Sequence, residues 1–403
     1  MRVLMLNAFH WLKGGVERTV FDETRWLEAA GHEVAHFATA DSRNVPSPFA
    51  RHFAPAADFG EGASAWGQLS QLPRAVWSAP AARALAGLLA EWRPDVAHVH
   101  APSRYLTPSV IAELERAGIP IVMTLHDFKP WCTNRVLFAR GEVCERCRGG
   151  VHWHAVTTGC VQRSRLKSAV GAFEAYEHDR RGAYRPVRRW IAPSRFVHDK
   201  AAELGADSAR VRVLPHGMEP AAVEPGAVPA LPPRFVLFAG RLSEEKGVHA
   251  LPELARGIAP VPLLIAGAGP LEPWLRAHAT GATLLGHLSA GALAAVRSRS
   301  SVVVVPSLFP ETFGYAVAEA QLDARAVVAA NIGALAELVE PEVTGLLVPP
   351  RDAVALAAAT RRALADPAAA RWGEAAQARA RERFAPAAHL RGLLHIYEEA
   401  MRS

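Results

Sequence analysis

Two cations follow a predicted strand in the second half of this chain. Arg241 and Lys246 lie in the segment Phe238–Gly247, where a short apolar run ends at Gly240. A guanidinium fork and an ammonium point charge can together satisfy several oxygens of a diphosphate. The segment is therefore a candidate anion clamp, and the alternative is that the two cations are unrelated surface residues.

Two carboxylates lie eight positions apart further along the chain. Glu311 is in the loop that follows another apolar run, and Glu319 is in the apolar stretch Ala316–Ala320. Carboxylates accept hydrogen bonds from hydroxyl groups, so the pair could hold a ribose and a second sugar ring. An unpaired carboxylate in an apolar stretch would be costly, which favours a functional Glu319. The alternative is one helix-capping and one solvated glutamate.

Two glycine pairs follow predicted strands. Gly14 and Gly15 precede a helical pattern, where a backbone without side chains can bring helix amides close to an anion; a simple tight turn is the alternative. Gly267 and Gly269 could be mistaken for a dinucleotide-binding motif, but Glu272 occupies the position of its third glycine. The missing third glycine weakens the hypothesis that the protein is a nicotinamide-dependent dehydrogenase.

All four cysteines fall between residues 130 and 162, with the spacing C-x11-C-x2-C-x12-C. The central pair has the usual chelate spacing, and four thiolates complete a tetrahedral zinc site. We expect structural zinc there, with an iron–sulfur cluster or four ordinary thiols as alternatives, and His152 or His154 could replace one ligand. The predicted ligands are Cys132, Cys144, Cys147 and Cys160.

These residues require strands and helices that position them. Apolar runs alternate with helical patterns, which favours α/β architecture with parallel sheets covered by helices on both faces. The predicted strands are Val3–Leu6, Glu33–Ala38, Asp95–His100, Ile119–Leu125, Arg234–Ala239, Pro262–Ala266, Ala282–Leu285, Ser301–Val305 and Ala326–Ala329. The predicted helices include Val16–Ala30, Pro108–Ala117 and a helical tail over Ala353–Ser403.

The strands form two series, with a proline-rich linker over Met218–Pro233. We predict two domains, 1–210 with the cysteine-rich insert 130–162, and 211–385. In a two-domain α/β protein the ligand site is expected in the cleft between the domains.

Composition and charge limit the class of protein, its location and its partners. The 403 residues are 50% hydrophobic and 21% charged, so a disordered or coiled-coil protein is excluded. The N-terminus reads as a buried strand, not as a signal peptide, and no apolar stretch reaches bilayer length; we expect a cytoplasmic protein. The formal net charge is +6. The segment Val161–Lys200, which we call the basic window, contains an excess of positive over negative side chains of the same size. We expect this window to recruit a phosphorylated acceptor or an anionic membrane, at the inner face, and expect no nucleic-acid partner; solvated helix faces are the alternative.

The set of motifs resembles the retaining glycosyltransferases of the GT-B fold, specifically family 4. The resemblance rests on the glycine pair, G-R-L-x-x-x-K-G, G-x-G-P and E-x7-E, in the family's order over nearly the whole chain. Further matches are Thr124–Asp127, Ala192–Arg195, Leu214–Gly217, Gly333–Glu337 and Thr344–Pro349. The resemblance implies two Rossmann-like domains facing a central cleft, with the C-terminal helix 386–403 returning to the N-terminal domain.

The resemblance also implies a role for each candidate residue. Arg241 and Lys246 would bind the donor pyrophosphate, Glu319 the ribose, and Glu311 the donor sugar. His126 would lie at the reacting face, where it and Glu311 are the catalytic candidates. The base pocket would lie near Gly286, His287 and Leu288. The remaining donor-side candidates are Gly14, Gly15, Phe313, Gly314 and Tyr315.

The implied reaction transfers a sugar from a nucleotide-diphosphate-sugar donor to an acceptor hydroxyl with retention of configuration. The acceptor would be a glycan, a lipid-linked or a small molecule, in cell-surface polysaccharide or glycoconjugate synthesis. The chemistry would require no cofactor, because Arg241 and Lys246 can replace a metal at the diphosphate. The alternative is a non-catalytic GT-B-like nucleotide-sugar-binding protein.

Overall fold

The computed structural model describes residues 1–56, 73–221 and 230–403. Part of the predicted linker, 222–229, lies outside the described residues. The chain divides into two compact units. The first unit comprises Met1–Arg135, Glu145–Gly217 and Pro386–Ser403, and the second comprises Val136–Cys144 and Met218–Ala385.

Each unit contains one six-stranded sheet in which every neighbouring pair is parallel. The first sheet has the order β2-β1-β3-β4-β7-β8, and the second has the order β11-β10-β9-β12-β13-β14. The first sheet is formed by β1 Arg2–Leu6, β2 Glu33–Phe37, β3 Val96–Val99, β4 Ile121–Thr124, β7 Arg189–Ala192 and β8 Val211–Val213. A separate antiparallel hairpin is formed by β5 Phe138–Ala139 and β6 Glu142–Val143. The second sheet is formed by β9 Val236–Ala239, β10 Leu263–Ala266, β11 Ala282–Gly286, β12 Val302–Val305, β13 Ala326–Ala330 and β14 Gly345–Val348.

Helices connect the strands, as parallel pairing requires. The α-helices whose two ends are described are α1 Gly15–Ala29, α2 Ala79–Glu91, α3 Ser103–Leu106, α4 Ser109–Arg116, α5 His154–Thr158, α6 Arg165–Arg181, α7 Arg195–Glu203, α8 Leu251–Gly257, α9 Glu272–His278, α10 Ala290–Arg297, α11 Tyr315–Leu322, α12 Leu335–Leu338, α13 Ala353–Ala365, α14 Ala368–Arg383 and α15 Pro386–Arg402. None of these described helices combines the length and apolar character needed to cross a bilayer.

Alternation along the strands explains why both faces of the second sheet are covered. On β12, Val302 and Val304 pack into one apolar cluster, whereas Val303 and Val305 pack into another. Successive strand residues point to opposite faces, so the all-valine strand needs an apolar layer on each side. The two faces are buried against different helices, which fixes the strand ends and the loops that follow them.

The last helix belongs to the first unit. Leu393, Ile396 and Tyr397 of α15 are buried in the same cluster as Val3 on β1 and Val96 on β3. The apolar face of α15 therefore completes the core beneath the first sheet.

The strands predicted from the sequence are confirmed, with ends that differ by one or two residues, and two boundaries need correction. We placed Val211 at the start of the second domain, but β8 pairs with β7 of the first sheet, so the first unit continues to Gly217. Part of the cysteine-rich insert, Val136–Cys144, groups with the second unit. The reason is a set of contacts by the hairpin, in which Arg351 bonds to the carbonyl oxygen of Gly141 and pairs with Glu142 at 3.4 Å.

Candidate active site

The loops after β9 and β10 pack directly on one another at the carboxyl edge of the second sheet. The amide of Gly240 donates to the carbonyl of Ala266 at 3.0 Å, and the amide of Leu242 donates to the carbonyl of Ala268 at 3.0 Å. A Cβ at Gly267 would lie 1.9 Å from the carbonyl oxygen of Gly240. The G-x-G segment therefore serves close packing of two loops, which presents Arg241 as an exposed side chain.

Lys246 and Glu311, two of the candidate residues, form an ion pair. The ammonium of Lys246 lies 2.6 Å from Oε1 of Glu311, and the hydroxyl of Ser307 donates to the same oxygen at 2.7 Å. The ammonium also lies 4.9 Å from the centre of the Phe309 ring. The Lys246 side chain is 29% exposed, so the positive charge can reach a ligand while it remains oriented by the carboxylate.

Two glycines hold these residues in place by allowing close backbone contact. A Cβ at Gly247, whose φ is +71°, would lie 1.8 Å from the carbonyl oxygen of Pro306. A Cβ at Gly333 would lie 2.7 Å from the amide nitrogen of Glu311, and the neighbouring amide of Ala334 donates to the Glu311 carbonyl at 2.9 Å. The loops that carry the Lys246–Glu311 pair are thus fixed by backbone packing.

The segment Phe313–Tyr315 forms the start of α11. Gly314 has a φ of +86°, and a Cβ there would lie 2.7 Å from the side chain of Leu335. Phe313 is buried against Phe384, with ring centres 5.5 Å apart. The first amides of an α-helix have no partner within the helix and attract anions. This turn is therefore an anion-binding candidate, a few residues from Glu311.

Glu319 is paired, and its partner was missed in the sequence. Arg297, only 4% exposed, donates to Glu319 at 3.0 Å and to Asp323 at 2.6 Å. Burial raises the pKa of Asp323 although Arg297 opposes the shift. Arg297 thus removes the cost that an unpaired, largely buried carboxylate would have at Glu319. An arginine at the end of the apolar helix α10 was the only signal for this pairing.

The predicted base pocket follows β11, the edge strand of the second sheet. Gly286 has a φ of +71°, and a Cβ there would meet no atom within 4 Å. Its carbonyl accepts from the amide of Gly267 at 2.7 Å, which places the 286–288 turn next to the loop after β10. His287 is exposed and Leu288 is half-buried, a combination that suits a partly stacked ligand ring.

The first unit carries the other candidates. Gly14 is exposed at the start of α1 with an extended backbone, and its Cβ position is 3.8 Å from Glu17. Glu17 is buried and accepts from the side-chain amide of Asn7 at 3.1 Å. Crowding by the chain therefore does not demand glycine at position 14, and the Gly14–Gly15 turn leaves the helix start open.

His126 lies just after β4 in a group of buried histidines. Its Nε2 is 3.0 Å from Nδ1 of His100, and its ring stacks on that of His216 at 5.2 Å. Burial lowers the pKa of His126 to about 3. The ring is therefore neutral at pH 7 and can exchange hydrogen bonds without carrying charge.

Comparison with known families decides the classification. The model described as "Glycosyltransferase Family 4" matches residues 13–222, and the model described as "Glycosyl transferases group 1" matches residues 233–366. The glycogen synthase of Mycobacterium tuberculosis is 31% identical over 92% of this chain and 87% of its own.

The chain belongs to glycosyltransferase family 4.

Solved structures agree on the fold of this glycosyltransferase. Sucrose-phosphate synthase from Thermosynechococcus elongatus has a TM-score of 0.72 at 23% identity and covers 99% of this chain and 98% of its own. Anabaena HepE, in complex with UDP-glucose, has a TM-score of 0.67 at 19% identity, with 98% of both chains covered. The two parallel-sheet units are therefore those of a GT-B glycosyltransferase.

The cysteines of the glycosyltransferase are free thiols divided between the units. Cys144 groups with the second unit, and the others lie in the first. Among the described residues, the three sulfurs of the first unit do not lie within 4.8 Å of one another. Burial would raise the pKa of Cys147, but hydrogen bonds with His152 and Thr133 lower it.

The basic window of the glycosyltransferase is partly neutralised by its own carboxylates. Arg180 and Arg181 both pair with Glu177 at 2.7 Å, and Arg189 pairs with Glu399 at 2.9 Å. In the C-terminal half of the window, these pairs therefore favour the alternative that the charges belong to solvated surface elements and do not recruit a ligand. At the other end of α6, Leu166 is 78% exposed and Phe173 is 63% exposed.

Proposed function

We propose that this glycosyltransferase transfers a hexose from a nucleoside-diphosphate donor to an acceptor hydroxyl with retention of anomeric configuration. The observation that carries the proposal is the Lys246–Glu311 pair at 2.6 Å, in the same unit as exposed Arg241 and the start of α11. Cations and helix amides suit a diphosphate, and a carboxylate suits sugar hydroxyls. Names of the relatives, a glycogen synthase and a protein complexed with UDP-glucose, support a nucleotide-activated glucose as the first donor to test.

In the proposed reaction, the bond between the anomeric carbon and the β-phosphate oxygen breaks. Negative charge develops on the departing diphosphate, and fixed positive groups that face it lower the barrier. The acceptor oxygen bonds to the anomeric carbon on the same face, and its proton passes to the departing phosphate oxygen. Glu311 then orients the sugar and is not required as a nucleophile.

His126 has a separate proposed role, in the first unit. Because the ring is neutral, it can hydrogen-bond a donor-sugar hydroxyl without attracting the diphosphate. Its partner His100 fixes the ring orientation at 3.0 Å. A neutral group at the reacting sugar is compatible with an oxocarbenium-like transition state, which a cation would oppose.

The donor assignment is tested by a panel of nucleoside-diphosphate sugars in thermal shift, followed by donor consumption with glycan, lipid-linked and small-molecule acceptors. We expect stabilisation by one base and one sugar, and no stabilisation of Lys246→Ala by the same donor. A parent protein that no donor stabilises and that consumes none would support the non-catalytic alternative.

We further propose that the first half of α6 contacts an anionic membrane, at the inner face of a cytoplasmic membrane. Leu166 and Phe173 are spaced by two helical turns, and Arg165 and Lys167 flank Leu166 on exposed positions. Apolar side chains next to cations are typical of helices that lie in the interface of anionic lipids.

Vesicle cosedimentation tests this contact, with vesicles of phosphatidylcholine alone or with phosphatidylglycerol. We expect binding only with the anionic lipid at low salt, and its loss in Leu166→Ser/Phe173→Ser. The matched control is Arg180→Gln/Arg181→Gln, whose charges are already paired with Glu177 and which should bind nearly as the parent does. Loss in Arg180→Gln/Arg181→Gln with binding retained in Leu166→Ser/Phe173→Ser would assign the contact to charge alone, and no binding by the parent would exclude it.

Zinc at the four cysteines stays a prediction. The C-x2-C spacing supports it, and the separation of the first-unit sulfurs does not. Metal analysis of the parent and of Cys144→Ser/Cys147→Ser decides the matter: the double variant is expected to hold one equivalent of zinc less than the parent. Brown protein with visible absorption would indicate iron–sulfur instead.

A further inference from the structure

A buried group of polar side chains lies inside the first unit, and one of its members, His100, contacts a catalytic candidate, His126. Glu23 projects from α1, and His98 and His100 project from β3 and the residue after it. Their exposed fractions are 1%, 0% and 1%. We call these three residues the Glu-His-His group. A carboxylate and two imidazoles without solvent require partners, because burial of such groups unsatisfied is costly.

The ligand atoms of this group are spaced like those around one metal ion. Oε2 of Glu23 is 3.4 Å from Nδ1 of His98 and 3.5 Å from Nε2 of His100. All three atoms lie within 4.8 Å of one another, and within the described residues no other set of three His, Cys, Asp or Glu does so. Two ligands that are each about 2.0–2.1 Å from a tetrahedral zinc lie about 3.4 Å apart.

Two of these atoms have no hydrogen bond. Oε2 of Glu23 and Nε2 of His100 are excluded from solvent and find no hydrogen-bond partner in the described chain. Each unsatisfied buried polar atom costs about 1–3 kcal/mol. Their separation is right for two ligands of one ion, whereas their orientation does not make a hydrogen bond. A cation between them removes both deficits.

The remaining polar atoms of the group form hydrogen bonds with surrounding side chains. Oε1 of Glu23 is 3.0 Å from Nε2 of His389 on α15, and Nε2 of His98 is 2.7 Å from the hydroxyl of Thr124. Nδ1 of His100 is 3.0 Å from His126. Such outer hydrogen bonds orient metal ligands and select the ring tautomer.

One contact must change when an ion binds. The hydroxyl of Tyr397 lies 2.8 Å from Nδ1 of His98 and can donate to it. Rotation of the hydroxyl proton away from that nitrogen frees its lone pair for the ion. No lysine or arginine pairs with Glu23 among the ion pairs of the described chain, in which its partners are His98, His100 and His389.

We propose that Glu23, His98 and His100 bind one divalent transition-metal ion, zinc in the first place, as a structural site of the first unit. Imidazole and carboxylate ligands suit zinc, cobalt and iron. The ion would join α1 to β3 and, through His389 and Tyr397, to α15. This proposal does not depend on the donor or on the reaction.

The test uses full-length protein purified without a polyhistidine tag or chelator. In Cys144→Ser/Cys147→Ser, which lacks the predicted cysteine site, metal analysis should still give about one equivalent of zinc or iron. Glu23→Gln and His100→Ala should each lose it, whereas the neighbouring control His216→Gln should keep it. Loss of the metal in the double cysteine variant, with retention in His100→Ala, would overturn the proposal.

Cobalt titration of metal-free Cys144→Ser/Cys147→Ser keeps the test decisive if Glu23→Gln or His100→Ala does not fold. We expect a weak visible spectrum that saturates at about one equivalent and lacks the near-ultraviolet band of cobalt–thiolate bonds. A folded double cysteine variant that binds neither cobalt nor zinc, or that binds cobalt only with a strong thiolate band, would contradict the site. Donor binding is measured separately, so failure here leaves the proposed reaction standing.

Discussion

At the scale of single residues, the candidate donor site consists of charges that are individually oriented before any ligand binds. Lys246 is held by Glu311, and Glu319 is held by Arg297. Such pairing limits the side-chain freedom that ligand binding would otherwise remove. It also means that removal of one partner alters the other, so matched variants are needed to assign roles.

Lys246→Ala and Arg241→Ala should each weaken binding of a nucleoside diphosphate about tenfold to a hundredfold, because a charge-assisted hydrogen bond contributes about 1.5–3 kcal/mol. Isothermal titration with the diphosphate that the donor screen selects measures this effect. Arg256→Ala, an exposed arginine paired with Glu253 on α8, is the control and should bind as the parent does. Affinities within twofold of the parent for both clamp variants would exclude the clamp.

Glu311→Gln should reduce sugar transfer far more than diphosphate affinity, whereas Glu319→Gln should weaken the diphosphate complex itself. The first carboxylate is assigned to the sugar and the second to the ribose. Asp323→Asn is the control, because Asp323 pairs with the same Arg297 without an assigned ligand contact. Equal affinity losses in Glu319→Gln and Asp323→Asn would show that the effect passes through Arg297.

At the scale of elements, loops at the ends of parallel strands position the site, and the sequence predicted these loops well. Short apolar runs followed by glycine or proline identified β9, β10 and β12, and therefore the loops that carry Arg241, Lys246 and Glu311. The pairing of Arg297 with Glu319 could not be predicted, because it joins residues that have no sequence relation. The Glu-His-His group was also missed, although two histidines at alternate positions of a strand must share one face.

Gly247→Ala should unfold or severely destabilise the second unit, by more than about 2 kcal/mol. The reason is backbone crowding, because the added Cβ would lie 1.8 Å from the Pro306 carbonyl oxygen. Gly281→Ala is the matched control: its φ is also positive, at +90°, but nothing lies within 4 Å of the Cβ position, so it should cost about 1 kcal/mol. Urea denaturation compares the two, and equal losses would mean that φ alone, and not loop packing, demands glycine at 247.

At the scale of the whole molecule, the two-unit α/β architecture was predictable, and the assignment of short segments to units was not. β8 resembles the beginning of a second series because a loop precedes it, yet it adds to the edge of the first sheet. The hairpin β5–β6 lies within the sequence of the first unit, but it groups with the second unit because Arg351 donates a hydrogen bond to the carbonyl oxygen of Gly141. Both outcomes depend on tertiary contacts that no local pattern records.

Stability should decrease as the pH falls from 7.5 to 5.5, because buried neutral histidines resist protonation. His10 is 3% exposed, and burial lowers its pKa to about 4. The unfolded chain takes up a proton below about pH 6.5 and the folded chain does not, so folding loses about 1.4 kcal/mol through this residue over that range. His10→Gln should show a smaller decrease by about that amount, whereas the exposed control His395→Gln should decrease as the parent does. Identical pH dependence of His10→Gln and the parent would contradict the buried neutral state.

The most direct test of the account is time-resolved proton NMR of donor turnover. The parent is incubated with the selected α-linked nucleoside-diphosphate sugar, with water as the acceptor, and the first-formed free sugar is recorded before it mutarotates. We predict that the α-anomer appears first, and that Glu311→Gln and Lys246→Ala release it at least about tenfold more slowly. Initial formation of the β-anomer, or release at the parent rate by both variants, would contradict a retaining transferase whose donor is held by the Lys246–Glu311 pair.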